Sequence, residues 1–142
     1  VNEVIKAMQI YKGTAPFSER DCPLIKVSVP AGITIKSDSD KLKQIFMNIL
    51  QNAVDAESKA IDIKAEFMND KVAISISDDG CGMSHEIKEN AFKPFFTTKT
   101  KGTGLGLAIV DKLTKAIGGN IELKSEPQKG TVFKVVIPKN FI

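Results

Sequence analysis

The chain has 142 residues, the size of a single domain, and with 42% hydrophobic and 26% charged residues it can bury a core under a polar surface. A net charge of +3, spread over scattered lysines such as Lys41, Lys43, Lys59, Lys64 and Lys71, would favour a polyphosphate but is too dilute for a nucleic-acid patch. No apolar run nears the roughly eighteen residues a membrane span needs, and the two cysteines, Cys22 and Cys81, lack the CxxC partners of a zinc site.

In chain order, residues 1–12 place Val1, Val4, Ile5, Met8 and Tyr11 at helical spacing, which reads as an amphipathic helix rather than a signal peptide. Residues 13–23, broken by Gly13, Pro16 and Pro23, read as a connection. Residues 24–29 alternate as a strand, Pro30 to Gly32 turn the chain, and residues 33–36 suggest a second short strand. A strong helix follows, capped by Ser37 or Asp38 and ending near residues 56–58. Its apolar stripe is Leu42, Ile45, Phe46, Ile49, Leu50 and Ala53.

Residues 61–67 and 72–77 alternate around a hairpin turn at 68–71. A short helix is expected over 84–90 and a loop over 92–103. A helix over 105–117 ends at Gly118-Gly119, a glycine C-cap. A last hairpin joins residues 121–125 to 131–137. Helices followed by paired hairpin strands, with few βαβ units, predict an α+β fold: a two-layer α/β sandwich with a mixed, mostly antiparallel sheet and helices on one face. Neither a repeat nor a low-complexity segment interrupts it. A disulfide is possible on paper, but a chain of this size needs no such staple, so reduced thiols are expected.

Four ordered motifs carry the chemistry. In Gln44-Ile-Phe-Met-Asn48-Ile-Leu-Gln-Asn52-Ala53, two asparagines four apart share one helical face. Their amide oxygens suit a hard cation such as magnesium, which keeps several waters and bridges phosphates. In Asp78-Asp79-Gly80-Cys81-Gly82-Met83, the first aspartate ends an alternating row with Val72, Ile74 and Ile76, so it points to the apolar side and needs a partner there. An ionised carboxylate only accepts hydrogen bonds, which matches the amino group of adenine. Asp79 competes for that role but points the opposite way.

The third motif, Phe92-Lys-Pro94-Phe95-Phe96-Thr97-Thr98-Lys99, puts aromatic anchors at the root of a lid whose Thr97, Thr98, Lys99 and Lys101 offer hydroxyls and charge to phosphates. Some of its rings can equally be core. The fourth, Gly102-Thr-Gly104-Leu-Gly106-Leu107, precedes a helix whose N-terminal amides favour anions. A dinucleotide fingerprint needs a preceding strand and GxGxxG, and a Walker loop needs Gly-Lys-Ser/Thr; neither is present. The protein-kinase pattern lacks its His-Arg-Asp and Asp-Phe-Gly partners. His85, the one histidine, starts a short helix and reads as a surface or capping residue rather than a phosphate acceptor.

Together these motifs resemble the N box, the first G box, the F box and the second G box of bacterial sensor histidine kinases, a branch of the superfamily that holds gyrase, MutL and the large heat-shock chaperones. Gly130-Thr131-Val-Phe133 resembles the family's closing Gly-Thr strand. The resemblance runs from about Val1 to Pro138 and implies a Bergerat-type sandwich that binds ATP and Mg2+ and transfers the γ-phosphoryl group to a histidine.

By position, Asn52 would match the magnesium-binding asparagine and Asn48 its companion one turn earlier, with Asp55 farther along the helix on the ATP side. Asp78 would match the carboxylate on the adenine amino group, Gly80, Gly82 and Met83 would shape the base pocket, and Thr131 would sit beside the base. Phe95, Thr97, Thr98, Gly102, Thr103, Gly104, Leu105, Gly106 and Leu107 would line the lid and phosphate side. Lys99 would approach the phosphates, and Asn48 and Lys99 would be the catalytic pair.

Relatives that hydrolyse ATP or phosphorylate serine place a glutamate as general base where this chain has Asn48, which cannot take a proton. Histidine, which already carries a lone pair, is therefore the favoured acceptor. A serine-directed kinase or ATPase, or a non-catalytic ATP-dependent binding module, are the alternatives. The resemblance further implies one catalytic domain over 1–142, preceded by a dimerisation and phosphoacceptor domain that would be its partner. It implies a homodimeric parent that works with a response regulator, and it is compatible with a membrane anchor in that parent. The domain itself would be cytoplasmic, would not enter the membrane, and would not bind nucleic acid.

Overall fold

The computed structural model describes residues 24–30, 35, 37–95 and 106–139. The expected helix over 1–12, the connection over 13–23, residues 96–103 of the expected loop, Gly104 and Leu105 after it, and most of the short strand over 33–36 lie outside these; Ile35 itself is not in a strand.

Helix α1 (Ser39–Asp55) forms because seventeen residues run without Gly or Pro and bring an apolar residue round every third or fourth position. The Asp38 side chain caps it, accepting from the amides of Asp40 and Lys41, each at 3.1 Å. All six residues of the expected stripe are buried. The helix stops at Ala56, after which Glu57 takes a left-handed φ of 59°.

Strands β1 (Leu24–Ser28), β2 (Ala60–Met68), β3 (Lys71–Asp78), β4 (Asn120–Ser125) and β5 (Thr131–Pro138) form one sheet in the order β1-β2-β3-β5-β4. The β1 to β2 pair is parallel, with α1 as its crossover; the other three pairs are antiparallel. The hairpin β2 to β3 closes on Asn69 and Asp70, and Asn69 tolerates the positive φ of 58° that the turn demands. Short helix α2 (His85–Asn90) is capped by Ser84, whose Oγ accepts from the Ile87 amide.

Helix α3 (Gly106–Ala116) ends on Gly118 at φ 77°, with the Gly119 amide returned to the Thr114 carbonyl at 2.9 Å. This is the mixed, mostly antiparallel α+β sandwich that the sequence predicts.

Alternation in the strands decides the layers. Ile61 and Ile63 of β2, Val72, Ile74 and Ile76 of β3, and Phe133, Val135 and Ile137 of β5 face the α1 stripe, Val110 and Ile117, and all are buried. The opposite rows carry Asp62, Lys64, Glu66, Ser75 and Lys134, none of them buried. The sheet's inner face is thus apolar until its last level, where β3, β5 and β4 turn polar while β2 keeps Ile61 opposite Asp78.

Candidate functional site

That last level is built by register. Asp78 ends the inward row of β3, and its partner on β5 is Thr131, which begins the row of Phe133, Val135 and Ile137. Thr131 in turn pairs with Ser125, which ends the β4 row of Ile121 and Leu123. Three adjacent strands therefore place a carboxylate and two hydroxyls at the same end of the same face, and all three are buried. A third hydroxyl, Ser58, is buried in the turn after α1.

The carboxylate is costly there. Burial pushes the Asp78 carboxyl above the ordinary carboxylate range, against the opposing pull of the Gly80 amide, the Ser58 hydroxyl and the Thr131 amide. The Gly80 N–H donates to Asp78 Oδ1 at 2.9 Å. The Ser58 Oγ dipole favours the charged form, yet that oxygen meets no partner of hydrogen-bonding geometry among the described residues. A buried acceptor held this way is suited to a donor brought by a ligand.

Asp79 does different work. Its Oδ1 accepts from the Lys59 amide at 2.8 Å and the Ala60 amide at 3.0 Å, so it pins the start of β2, and these bonds, led by the Ala60 amide, lower its pKa. The two adjacent acids face opposite ways, as alternation requires.

Glycines shape the wall beside Asp78. A Cβ on Gly80 would stand 2.7 Å from Ala56 Cβ and 2.8 Å from Ser58 Oγ. Gly82 has φ +69°, and a side chain there would run into the Glu126 carbonyl. Gly130 has φ +82°, and a Cβ would run into the Asp78 carbonyl. The loop is tied down on two sides: the Cys81 amide donates to the Ala56 carbonyl at 3.1 Å, and the Gln128 amide to the Cys81 carbonyl at 2.7 Å. Cys81 itself is an exposed free thiol.

The first of these bonds joins the site to α1, because Ala56 is that helix's C-cap. Asn48 and Asn52 are half-buried along α1, and Asp55, seven residues after Asn48, lies on the same side at the exposed helix end, where Gln51 Nε2 donates to its Oδ1 at 3.0 Å. Met83 is half-buried, packed against the core.

The aromatic motif divides. Phe92 is half-buried and meets Phe133 edge-on, 6.4 Å between centroids, whereas Phe95 is 77% exposed at a positive φ of 66°. Gly106 opens α3, and a Cβ there would meet nothing within 4 Å among the described residues; Leu107 packs on the core. The expected residues Thr97, Thr98, Lys99, Gly102, Thr103, Gly104 and Leu105 lie outside the described residues.

Sequence reasoning missed Ser125 and Ser58. Ser125 was detectable in principle, since it continues the inward phase of Ile121 and Leu123. Ser58 sits in a turn, where no periodicity speaks for it. His85 is exposed, with Nε2 2.8 Å from Glu89 Oε1, in keeping with a surface role.

A buried acid on a glycine-shaped rim, beside a helix with paired asparagines, is the architecture of a nucleotide-binding ATPase domain. The family model for histidine kinase-, DNA gyrase B- and HSP90-like ATPases matches residues 37–140, and the chain belongs to that family. Sensor histidine kinase ZraS of Klebsiella oxytoca is 37% identical over 144 residues, covering 99% of this chain and 31% of that protein. Signal transduction histidine-protein kinase AtoS of Escherichia coli is 41% identical over 109 residues, covering 75% and 18%. The chain thus spans a third or less of the length of these curated relatives. Among solved structures, the catalytic domain of histidine kinase ThkA superposes with a TM-score of 0.84 at 31% identity, covering 98% of this chain and 91% of that one. The fold is that of a histidine kinase catalytic domain.

Proposed function

We propose that this chain binds Mg-ATP and delivers the γ-phosphoryl group to a histidine carried by a separate dimerisation domain. The observation that carries the nucleotide assignment is Asp78: a carboxylate buried at the sheet rim, with an acceptor-only hydrogen-bonding capacity that the adenine amino group fills. Thr131 lies beside the base, Gly80, Gly82 and Met83 form the pocket wall, and the first turn of α3, from Gly106 and Leu107, serves the phosphate side. By their place in the sequence, Thr97, Thr98, Lys99 and Thr103 are assigned to a lid over 92–103 with Phe95 at its root, and Gly102, Gly104 and Leu105 to the phosphate side.

The donor set on α1 fits magnesium. Asn48 and Asn52 supply neutral amide oxygens on one face, hard ligands that add no negative charge next to a triphosphate. The described residues hold no cluster of three or more His, Cys, Asp or Glu that would bind a metal without the nucleotide. When bound, the ion would neutralise charge on the phosphates; the protein's own part is to position the nucleotide and exclude water.

Asn48 supports histidine as acceptor, because an amide cannot act as general base for water or serine. The relatives, named as sensor histidine kinases, support the same reading. They are also longer than this chain, which leaves room for a phosphoacceptor domain as partner; a homodimeric parent and a response regulator complete the proposal. No described helix is long and apolar enough to cross a membrane.

Incubating the chain with a separately purified phosphoacceptor domain and γ-labelled ATP tests the proposal. Acid-labile label on the acceptor is the expected result. Acid-stable label would point to serine, free phosphate to an ATPase, and no transfer despite ATP binding to a binding module.

A further inference from the structure

Ser125 is a rim hydroxyl to which the nucleotide reading gives no role. It is 8% exposed, and its Oγ has three neighbours at bonding distance. The Met83 amide donates to it at 2.8 Å, it donates to the Gly130 carbonyl at 3.0 Å, and Thr131 Oγ1 lies 2.8 Å away.

Counting hydrogens settles the direction of the third bond. A serine hydroxyl has one hydrogen and two lone pairs. The Gly130 carbonyl can only accept, so it takes the one hydrogen. The Met83 amide can only donate, so it takes one lone pair. What remains on Ser125 is a single lone pair, and Thr131 must donate into it. The Thr131 hydrogen is then engaged, and the group can offer its surroundings nothing but lone pairs.

We propose that Ser125 is a positioning residue that locks the Thr131 hydroxyl as an acceptor and thereby helps the site select a 6-amino purine over a 6-oxo purine. This rests on the ATP-site reading above. Thr131 is directly opposite Asp78 in the β3 to β5 register, so both side chains leave the same face of the sheet at the same level. Two acceptors side by side suit an amino group, which carries two hydrogens. They oppose a carbonyl, which brings only lone pairs of its own. A freely rotating threonine could turn its hydrogen towards that carbonyl and accommodate it, and the chain of bonds through Ser125 prevents the rotation. The same oxygen holds Met83 and Gly130 in place, so the pocket wall and its hydrogen-bond polarity depend on one atom.

Calorimetric titration of the 142-residue chain with ATP and with inosine triphosphate, both with magnesium, tests this, since the two differ only at the 6-position and the adjacent ring nitrogen. In Ser125→Ala the preference for ATP should fall by about two- to tenfold, the worth of one hydrogen bond. In Ser125→Thr, which keeps the hydroxyl, the preference should return. Equal weakening of both nucleotides in Ser125→Ala, with the ratio unchanged, would reduce Ser125 to a structural staple and overturn the proposal. If circular dichroism shows that Ser125→Ala does not fold, Thr131→Val decides: it too should lower the ratio, and an unchanged ratio overturns the proposal. A wild-type chain that binds neither nucleotide would sink the site reading and this inference together. A wild-type chain that binds ATP while the variants keep its ratio would sink this inference alone.

Discussion

Asp78 sets stability against binding within one residue. Its carboxyl holds a proton more tightly in the folded chain than in the unfolded one, because burial disfavours the charge. Between the ordinary value of 3.8 and the raised folded value, the folded state therefore binds more protons, and stability falls as pH rises through that window. Above it the penalty is complete. Asp78→Asn removes the penalty while its amide oxygen can still accept from Gly80. At pH 7, thermal melts without nucleotide should place this variant at or above the wild-type midpoint, with the difference gone below about pH 3.8, where neither side chain is charged. The same substitution should weaken ATP binding by about 1.5–3 kcal/mol, the scale for a hydrogen bond to a charged group. A variant less stable than wild type at pH 7 would show that the carboxylate is better compensated than its burial implies. Gly130 makes a second residue-scale case. Gly130→Ala forces a side chain into a left-handed backbone position against the Asp78 carbonyl, and denaturant titration should show a loss of at least about 1–3 kcal/mol.

At the scale of elements, the proposed function gives α1 two jobs on two faces. Its buried stripe anchors the helix layer to the sheet, and its other side presents Asn48 and Asn52. Phe46 is 1% exposed at the centre of the stripe, so Phe46→Ala should cost about 3–5 kcal/mol in urea unfolding. Asn52→Ala lies off the stripe. It should blunt the increase in ATP affinity that magnesium brings, measured by titrating ATP with and without the ion. An intact magnesium effect in that variant would move the metal role off α1. The loop after β3 ties the two regions together, since the Cys81 amide binds the α1 C-cap at Ala56 while the neighbouring Gly80 amide binds Asp78.

For the molecule as a whole, local signals carry most of the fold. The α1 stripe, the hairpin at Asn69-Asp70, the glycine stop after α3 and the alternation of β2, β3 and β5 are written in periods of 3.6 and 2 that neighbouring residues enforce by themselves. The opposite orientations of Asp78 and Asp79 follow from the same alternation. Other features depend on contacts distant in sequence. Only the sheet order β1-β2-β3-β5-β4 brings Ser125 and Thr131 to the level of Asp78, 47 and 53 residues along the chain. Packing likewise separates Phe92, seated on Phe133, from exposed Phe95, which the motif alone leaves equivalent. The sequence by itself determined most of the described elements, the order of the motifs and the family, because short-range periodicity and residue chemistry need no partner to be read. Which polar groups share the buried rim, and which way their hydrogens run, was decided by strand register, a long-range property that no single segment encodes.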